Sequence, residues 1–245
     1  MSENTTATLE ETTVELLKKL IQNACVNDLT ADSGNEVRNA ETLEEFFSGT
    51  NVEIRRFEPH PGRVSVAFTV PGSDPDAEPL TLLGHTDVVP IDEDKWTRDP
   101  FGAEVVEAED GTRIYGRGAT DMLFITAAMA TVTREVAEAA QVGTPPRGTL
   151  TFVACADEEA RGGLGAGWIA EHEPDAFSWR NCLSETSGSH LPDALIVVVG
   201  EKGAAQRRIT IHGDAGHGSA PYGMSLIHIS EPTRREWLSR MPSSA

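Results

Sequence analysis

Two short apolar runs in this chain each end on residues that carry chemistry, and that pattern limits the fold more than any other feature. Leu80-Thr81-Leu82-Leu83 leads into Gly84-His85-Thr86-Asp87. Thr149 to Ala154 and the adjoining Cys155 lead into Ala156-Asp157-Glu158-Glu159. Runs of this length, bounded by polar residues, read as buried strands. In open α/β sheets, ligands bind outside the carboxyl ends of such strands. Side chains two apart on a strand point the same way, so Asp87 can stand behind His85. A carboxylate in that position is the usual partner of a metal-bound imidazole.

The rest of the text alternates between helical and strand patterns. Thr8 to Ala24 carries a helical stripe of Leu9, Leu16, Leu17, Leu20, Ile21 and Ala24, and Thr8 with Glu11 forms a capping-box pattern. Ala40 to Phe47 reads as a shorter helix, and the alanine-rich stretch Ala119 to Ala140 and Leu164 to Glu171 as two more. Strands are expected at Val52 to Phe57, Arg63 to Val70, Leu80 to Leu83, Thr149 to Ala154 and Leu195 to Val199. Glu104 to Val106 and Arg113 to Tyr115 read as a hairpin with Asp110-Gly111 at its tip. This alternation predicts an α/β fold, a mixed and largely parallel sheet with helices on both faces. Beyond Gly200 the pattern changes, and Gln206 to Ile211 looks like a half-exposed strand of a separate, smaller α+β domain.

Charge and composition exclude several classes of function. A formal net charge of -19 over 245 residues argues against nucleic-acid binding, which needs a basic face. No apolar stretch approaches the length of a membrane span. Met1 to Glu11 is polar and acidic, without the basic and apolar segments of a secretory signal, so a cytoplasmic location is expected. Cys25, Cys155 and Cys182 form no C-x-x-C pair and suggest no disulfide framework.

Part of the acidic excess falls where a cation could use it. Asp121 follows Tyr115-Gly116-Arg117-Gly118 and stands at the expected start of the alanine-rich helix, where it could equally serve the free N–H groups of that terminus. Asp157-Glu158-Glu159 places three acids in a row at a strand end, and nothing structural requires them. Two adjacent glutamates suit a division of labour, one binding metal and the other moving protons. Glu185 lies in Ser184-Glu185-Thr186. Together His85, Asp121, Glu159 and Glu185 offer a mixed nitrogen and oxygen donor set appropriate to zinc, with cobalt or manganese as alternatives.

The order and spacing of these motifs, from about Thr13 to Gly223, resemble the di-zinc family of aminoacylases, acetylornithine deacetylases, succinyl-diaminopimelate desuccinylases and glutamate carboxypeptidases. The resemblance implies two divalent metal ions, with His85 the first metal histidine and Asp87 its supporting aspartate. It makes Asp121 the bridging carboxylate, Glu158 the general base, and Glu159 and Glu185 further metal ligands. Gly216-His217-Gly218 resembles the family's histidine motif in an inserted dimerisation domain, so His217 is expected to bind substrate across a homodimer. The implied activity is hydrolysis of an amide bond in a small peptide or N-acyl amino acid through a di-metal-bound water, with Asp87 and Glu158 as the catalytic pair.

Two departures accompany the resemblance. Met122-Leu123-Phe124 stands where many members carry Lys-Gly-Gly, and no counterpart is found for the family's last metal histidine. The expected organisation is an incomplete catalytic domain over residues 1–200, the first part of the inserted domain over 201–223, and a non-native or disordered tail over 224–245. The alternative reading is a non-catalytic, metal-binding fragment.

Overall fold

The computed structural model describes residues 7–109 and 111–185. The expectations for Leu195 to Val199, Gln206 to Ile211, His217 and the tail from Met224 lie outside the described residues, as does Asp110 at the hairpin tip.

Helix α1 (Leu9–Gln22) starts where its cap is written. Thr8 Oγ1 accepts from the Glu11 N–H, and a Glu11 carboxylate oxygen accepts from the Thr8 N–H at 2.8 Å. Helix α2 (Val37–Phe46) begins three residues earlier than its apolar pattern suggests, and Glu36 before it makes no side-chain cap. Strands β1 (Glu53–His60) and β2 (Arg63–Val70) form an antiparallel pair, with β1 at the sheet edge. β1 runs three residues beyond the expected end at Phe57. Pro59 is tolerated because the register shifts between Phe57 and His60, and an edge strand at an irregularity can spare a donor.

Strand β3 (Leu80–His85) follows. The hairpin of β4 (Glu104–Ala108) and β5 (Gly111–Tyr115) forms a small sheet of its own. Helix α3 (Leu123–Gln141) leads to β6 (Leu150–Cys155), then α4 (Ala166–His172) and the two-residue β7 (Cys182–Leu183). The main sheet has the order β1-β2-β6-β3-β7. β2 runs antiparallel to both neighbours, whereas β6, β3 and β7 are mutually parallel. Four of the five strands therefore point the same way, as the α/β reading expects.

The strands alternate their side chains between two cores. Val66, Phe68, Leu82 and Phe152 pack with α1, α2 and α3 on one face, and Phe47 stacks on Phe68 with ring centroids 4.3 Å apart. Ala67, Val153 and Cys155 pack on the other face with Phe57, Phe177 and Ile169 of α4. Complete burial of a phenylalanine contributes roughly 1.5–3 kcal/mol. The hydrophobic effect thus fixes β2, β3 and β6 at the centre, and their carboxyl ends inherit that rigidity. No helix among the described residues is long and apolar enough to cross a membrane.

The start of α3 differs from expectation. The helix begins at Leu123, not Ala119, and no side chain caps it. Gly118 adopts φ +80, and a Cβ there would meet Val88 and Leu123 at 2.6 and 2.7 Å. The chain turns tightly there before the helix begins, so Asp121 is left in the turn as neither cap nor helical residue.

Candidate metal centre

Three parallel strand ends and one turn build the site. His85 closes β3 directly opposite Cys155, the last residue of β6. Glu158 and Glu159 follow β6 in a 3-10 turn, and Glu185 lies two residues beyond β7. Asp121 comes from the turn ahead of α3. Gly84 lets that helix approach β3, since a Cβ there would lie 2.7 Å from Thr126 Oγ1. The Thr126 hydroxyl donates to the His85 carbonyl at 2.8 Å, securing the strand end on the helix.

The His85 ring is buried, with 2% of its surface exposed. Its Nδ1 lies 3.0 Å from the Asp87 carbonyl oxygen and 3.4 Å from Asp87 Oδ1. Both of those oxygens accept, so Nδ1 is the donor and Nε2 is aimed the other way. There it meets Asp121 at 3.4 Å, Glu158 at 3.6 Å and Glu185 at 3.8 Å. Nε2 is nonetheless buried without a hydrogen bond. A buried imidazole nitrogen facing three carboxylates needs a proton or a cation between them.

Asp87 does more than stand behind the ring. Its carboxylate accepts from Asn27 Nδ2 at 2.8 Å and from the N–H groups of Glu158 and Glu159 at 3.1 Å each. Burial works against its charge, but the His85 ring, Asn27 and the Glu159 N–H hold its carboxyl below the usual range.

The carboxylates meet around the imidazole in two groups. Donor atoms of His85, Glu158 and Glu185 lie within 4.8 Å of one another, and so do those of His85, Asp121 and Glu159. Crowding shows in their protonation. Burial, supplemented by neighbouring acids and opposed by His85, pushes Glu159 up to about 6 and Glu185 up to about 7. Burial disfavours a charged His85, yet Asp87, Glu158 and Glu185 overcome it and raise the ring to about 9.

All six residues expected at this site from residues 1–185 therefore come together, and His217 lies outside the described residues. One imidazole nitrogen with several carboxylate oxygens is a borderline-hard donor set, and an Nε2 without a hydrogen bond at its focus suits a metal ligand. The residues present fit a divalent metal. A small cleft of about 60 Å³ adjoins them, lined by Leu83, Met122, Cys155 and Ala166 beside His85 and Glu185. The larger groove, about 450 Å³, runs along α1 and α2 and contains none of these residues.

Sequence reasoning missed the polar residues behind the site: Asn27, Glu36, Arg63 and the role of Asp157. One signal was available. Arg63 opens a strand that is otherwise apolar or small, and a guanidinium on such a strand needs a buried partner.

Comparison with known proteins identifies the family. Residues 81–236 match the family described as Peptidase family M20/M25/M40. The chain is 33% identical over 165 residues to succinyl-diaminopimelate desuccinylase 1 of Ruegeria sp., covering 66% of this chain and 41% of that protein. It is 32% identical over 232 residues to the succinyl-diaminopimelate desuccinylase of Xanthomonas euvesicatoria, covering 93% and 57%. Aminoacylase-1 of Sus scrofa is 33% identical over 178 residues, covering 72% and 42%. The chain thus spans about half the length of these curated relatives. The di-peptidase Dug1p from Saccharomyces cerevisiae shares the fold with a TM-score of 0.50 at 22% identity, over 69% of this chain and 36% of that one. Because the matched span covers more than half of the sequence and contains His85, Asp121, Glu158, Glu159 and Glu185, the chain belongs to peptidase family M20/M25/M40.

Proposed function

We propose that the protein is a metal-dependent hydrolase that cleaves an amide bond of a small peptide or an N-acyl amino acid, with two divalent ions, zinc first, at this site. The observation that carries the reading is the His85 Nε2 atom, buried, without a hydrogen bond, and ringed by carboxylates of Asp121, Glu158 and Glu185. The names of the relatives, a desuccinylase and an aminoacylase, support the substrate class.

His85, Asp121, Glu159 and Glu185 would hold the ions. Bound there, the ions would supply Lewis acidity towards a carbonyl oxygen and a nucleophilic water at neutral pH. Asp87 fixes the direction of the His85 ring through Nδ1 and holds the main chain of both glutamates. Glu158 is the general base, taking a proton from the attacking water and passing it to the leaving amine. Its side chain is half exposed, as a proton shuttle facing substrate requires. In this proposal His217 polarises the substrate carbonyl within a homodimer.

Metal analysis of the purified chain, run beside hydrolysis of a panel of dipeptides and N-acetyl amino acids, tests the reading. Bound metal with turnover on one arm of the panel supports it and names the substrate class. Bound metal without turnover selects the non-catalytic, metal-binding alternative, and absence of metal binding refutes both.

A further inference from the structure

Behind the exposed carboxylates lies a buried group of charges that the proposed chemistry does not use. Arg63 is wholly buried at the start of β2. Its Nη1 donates to the Ser33 carbonyl at 2.7 Å, and its Nη2 donates to Asp157 Oδ1 and lies 3.3 Å from a Glu36 oxygen. Asp157 also accepts from Asn27 Nδ2 at 3.3 Å and from the Leu164 N–H at 2.8 Å. The same Asn27 amide donates to Asp87, whose carboxylate takes the N–H groups of Glu158 and Glu159. Asn27 therefore ties together the two aspartates that hold the chain at and just after the end of β6.

The backbone at this point is unusual. Asp157 adopts φ 65, and Arg161 at the far end of the 3-10 turn adopts φ 79. Non-glycine residues rarely occupy this left-handed region, and they persist there when their surroundings over-determine them. Between these two reversals, Glu158 is delivered to the group containing Glu185, and Glu159 to the group containing Asp121. Adjacent residues on a plain extended strand would alternate faces, and on a continuous helix both would follow a single turn. Neither arrangement sends both side chains to one imidazole by separate routes.

We propose that Asp157, held by Arg63 and Asn27, is a positioning residue that divides Glu158 and Glu159 between the two halves of the metal centre. The proposal rests on the metal reading above and adds to it the element that sets the separation. Titration of the full chain with cobalt(II), followed by visible absorption, reads ligand geometry directly and needs no turnover. Three variants are compared with the wild type. Asp157→Asn keeps the shape and tolerates the left-handed conformation, but it weakens the pairing of a buried guanidinium. Arg63→Met combined with Asp157→Asn removes both charges together. Asn27→Ala removes the neutral link and leaves every charge pair in place.

The expected result is cobalt affinity lowered about 10–100-fold in the variants that fold, with an altered absorption envelope and, in turnover, a fall in kcat with KM little changed. A folded double variant with the affinity and spectrum of the wild type overturns the proposal. If the double variant does not fold, Asn27→Ala decides, and wild-type values for it are equally fatal. A wild-type chain that binds no cobalt refutes the metal reading and this proposal with it, whereas normal wild-type binding with unchanged variants refutes this proposal alone.

Discussion

Two sets of carboxylates meet at the carboxyl ends of β3 and β6, and they are built oppositely. Asp87, Asp157 and Glu36 lie behind the imidazole with side chains at most 7% exposed. Each takes hydrogen bonds from N–H donors or sits against a guanidinium. Asp121, Glu158 and Glu185 lie in front, with side chains 69%, 51% and 31% exposed, converging on one nitrogen that has no hydrogen bond. The rear set is held among buried donors of the protein itself, whereas the front set converges on the His85 ring. Burial of a carboxylate therefore marks structure here, and exposed convergence on one imidazole marks chemistry.

The contrast breaks if front and rear substitutions have the same kind of effect. The largest expected change is in front. Glu158→Gln keeps the shape but cannot accept a proton, so turnover should fall by about 10²–10⁴-fold while metal content stays near normal. Glu159→Gln should lose metal instead, and equal metal loss in both variants would defeat the assigned roles. At the rear, Arg63→Met leaves buried carboxylates without their cation. Urea unfolding should then show a loss of about 3–5 kcal/mol, and a loss below about 1 kcal/mol, the range of exposed pairs, would remove the distinction.

A smaller effect concerns pH. Burial pushes Glu36 up to about 7, despite Arg63 nearby. A carboxyl raised on folding contributes stability that is full below its unfolded value, near 4.5, and is lost as pH rises through 7. Stability of Glu36→Gln measured against the wild type should therefore improve steadily from about pH 4.5 to 7. A flat difference would show that Glu36 stays ionised beside Arg63. The smallest effect lies far from both sets. Thr8→Ala breaks the capping box of α1 and should cost about 1 kcal/mol, with cobalt binding unaltered, and altered binding would mean that helix and site are coupled.

Much of this arrangement was legible in the sequence, for reasons that differ by element. β2 was expected at its observed limits, and β6 within one residue, because both are central strands whose apolar text is forced by burial on two faces. α1 was legible because Thr8 and Glu11 write its start. His85 with Asp87, and the acids after β6, stood out in the sequence because charged residues directly follow buried apolar strands, although Asp157 among them proves to be structural. The end of β1 was not legible, since Pro59 reads as a stop and only the pairing with β2 shows the irregularity that accommodates it. The start of α3 was misjudged because Ala119 continues the alanine-rich pattern while the turn at Gly118 depends on Val88, far away in sequence. The rear network was invisible for a similar reason. Asn27, Glu36, Arg63 and Asp157 come from four separate segments without any local pattern, and only folding reveals that they touch.

The parallel arrangement of β6, β3 and β7 has a consequence for the order in which the protein is made. Parallel neighbours cannot be joined by a tight turn, so each pairing waits for a long crossover and its loop-closure entropy. The donors are spread from residue 85 to residue 185, and His85 meets them only once these non-local pairings exist. Ions that bind this arrangement and not the unfolded chain act by mass action on the final step. At a hundred times the dissociation constant they would add roughly 2.7 kcal/mol to the folded state. The metal supply available during synthesis would then set how much of the newly made chain reaches its native form, as well as how much of it is active.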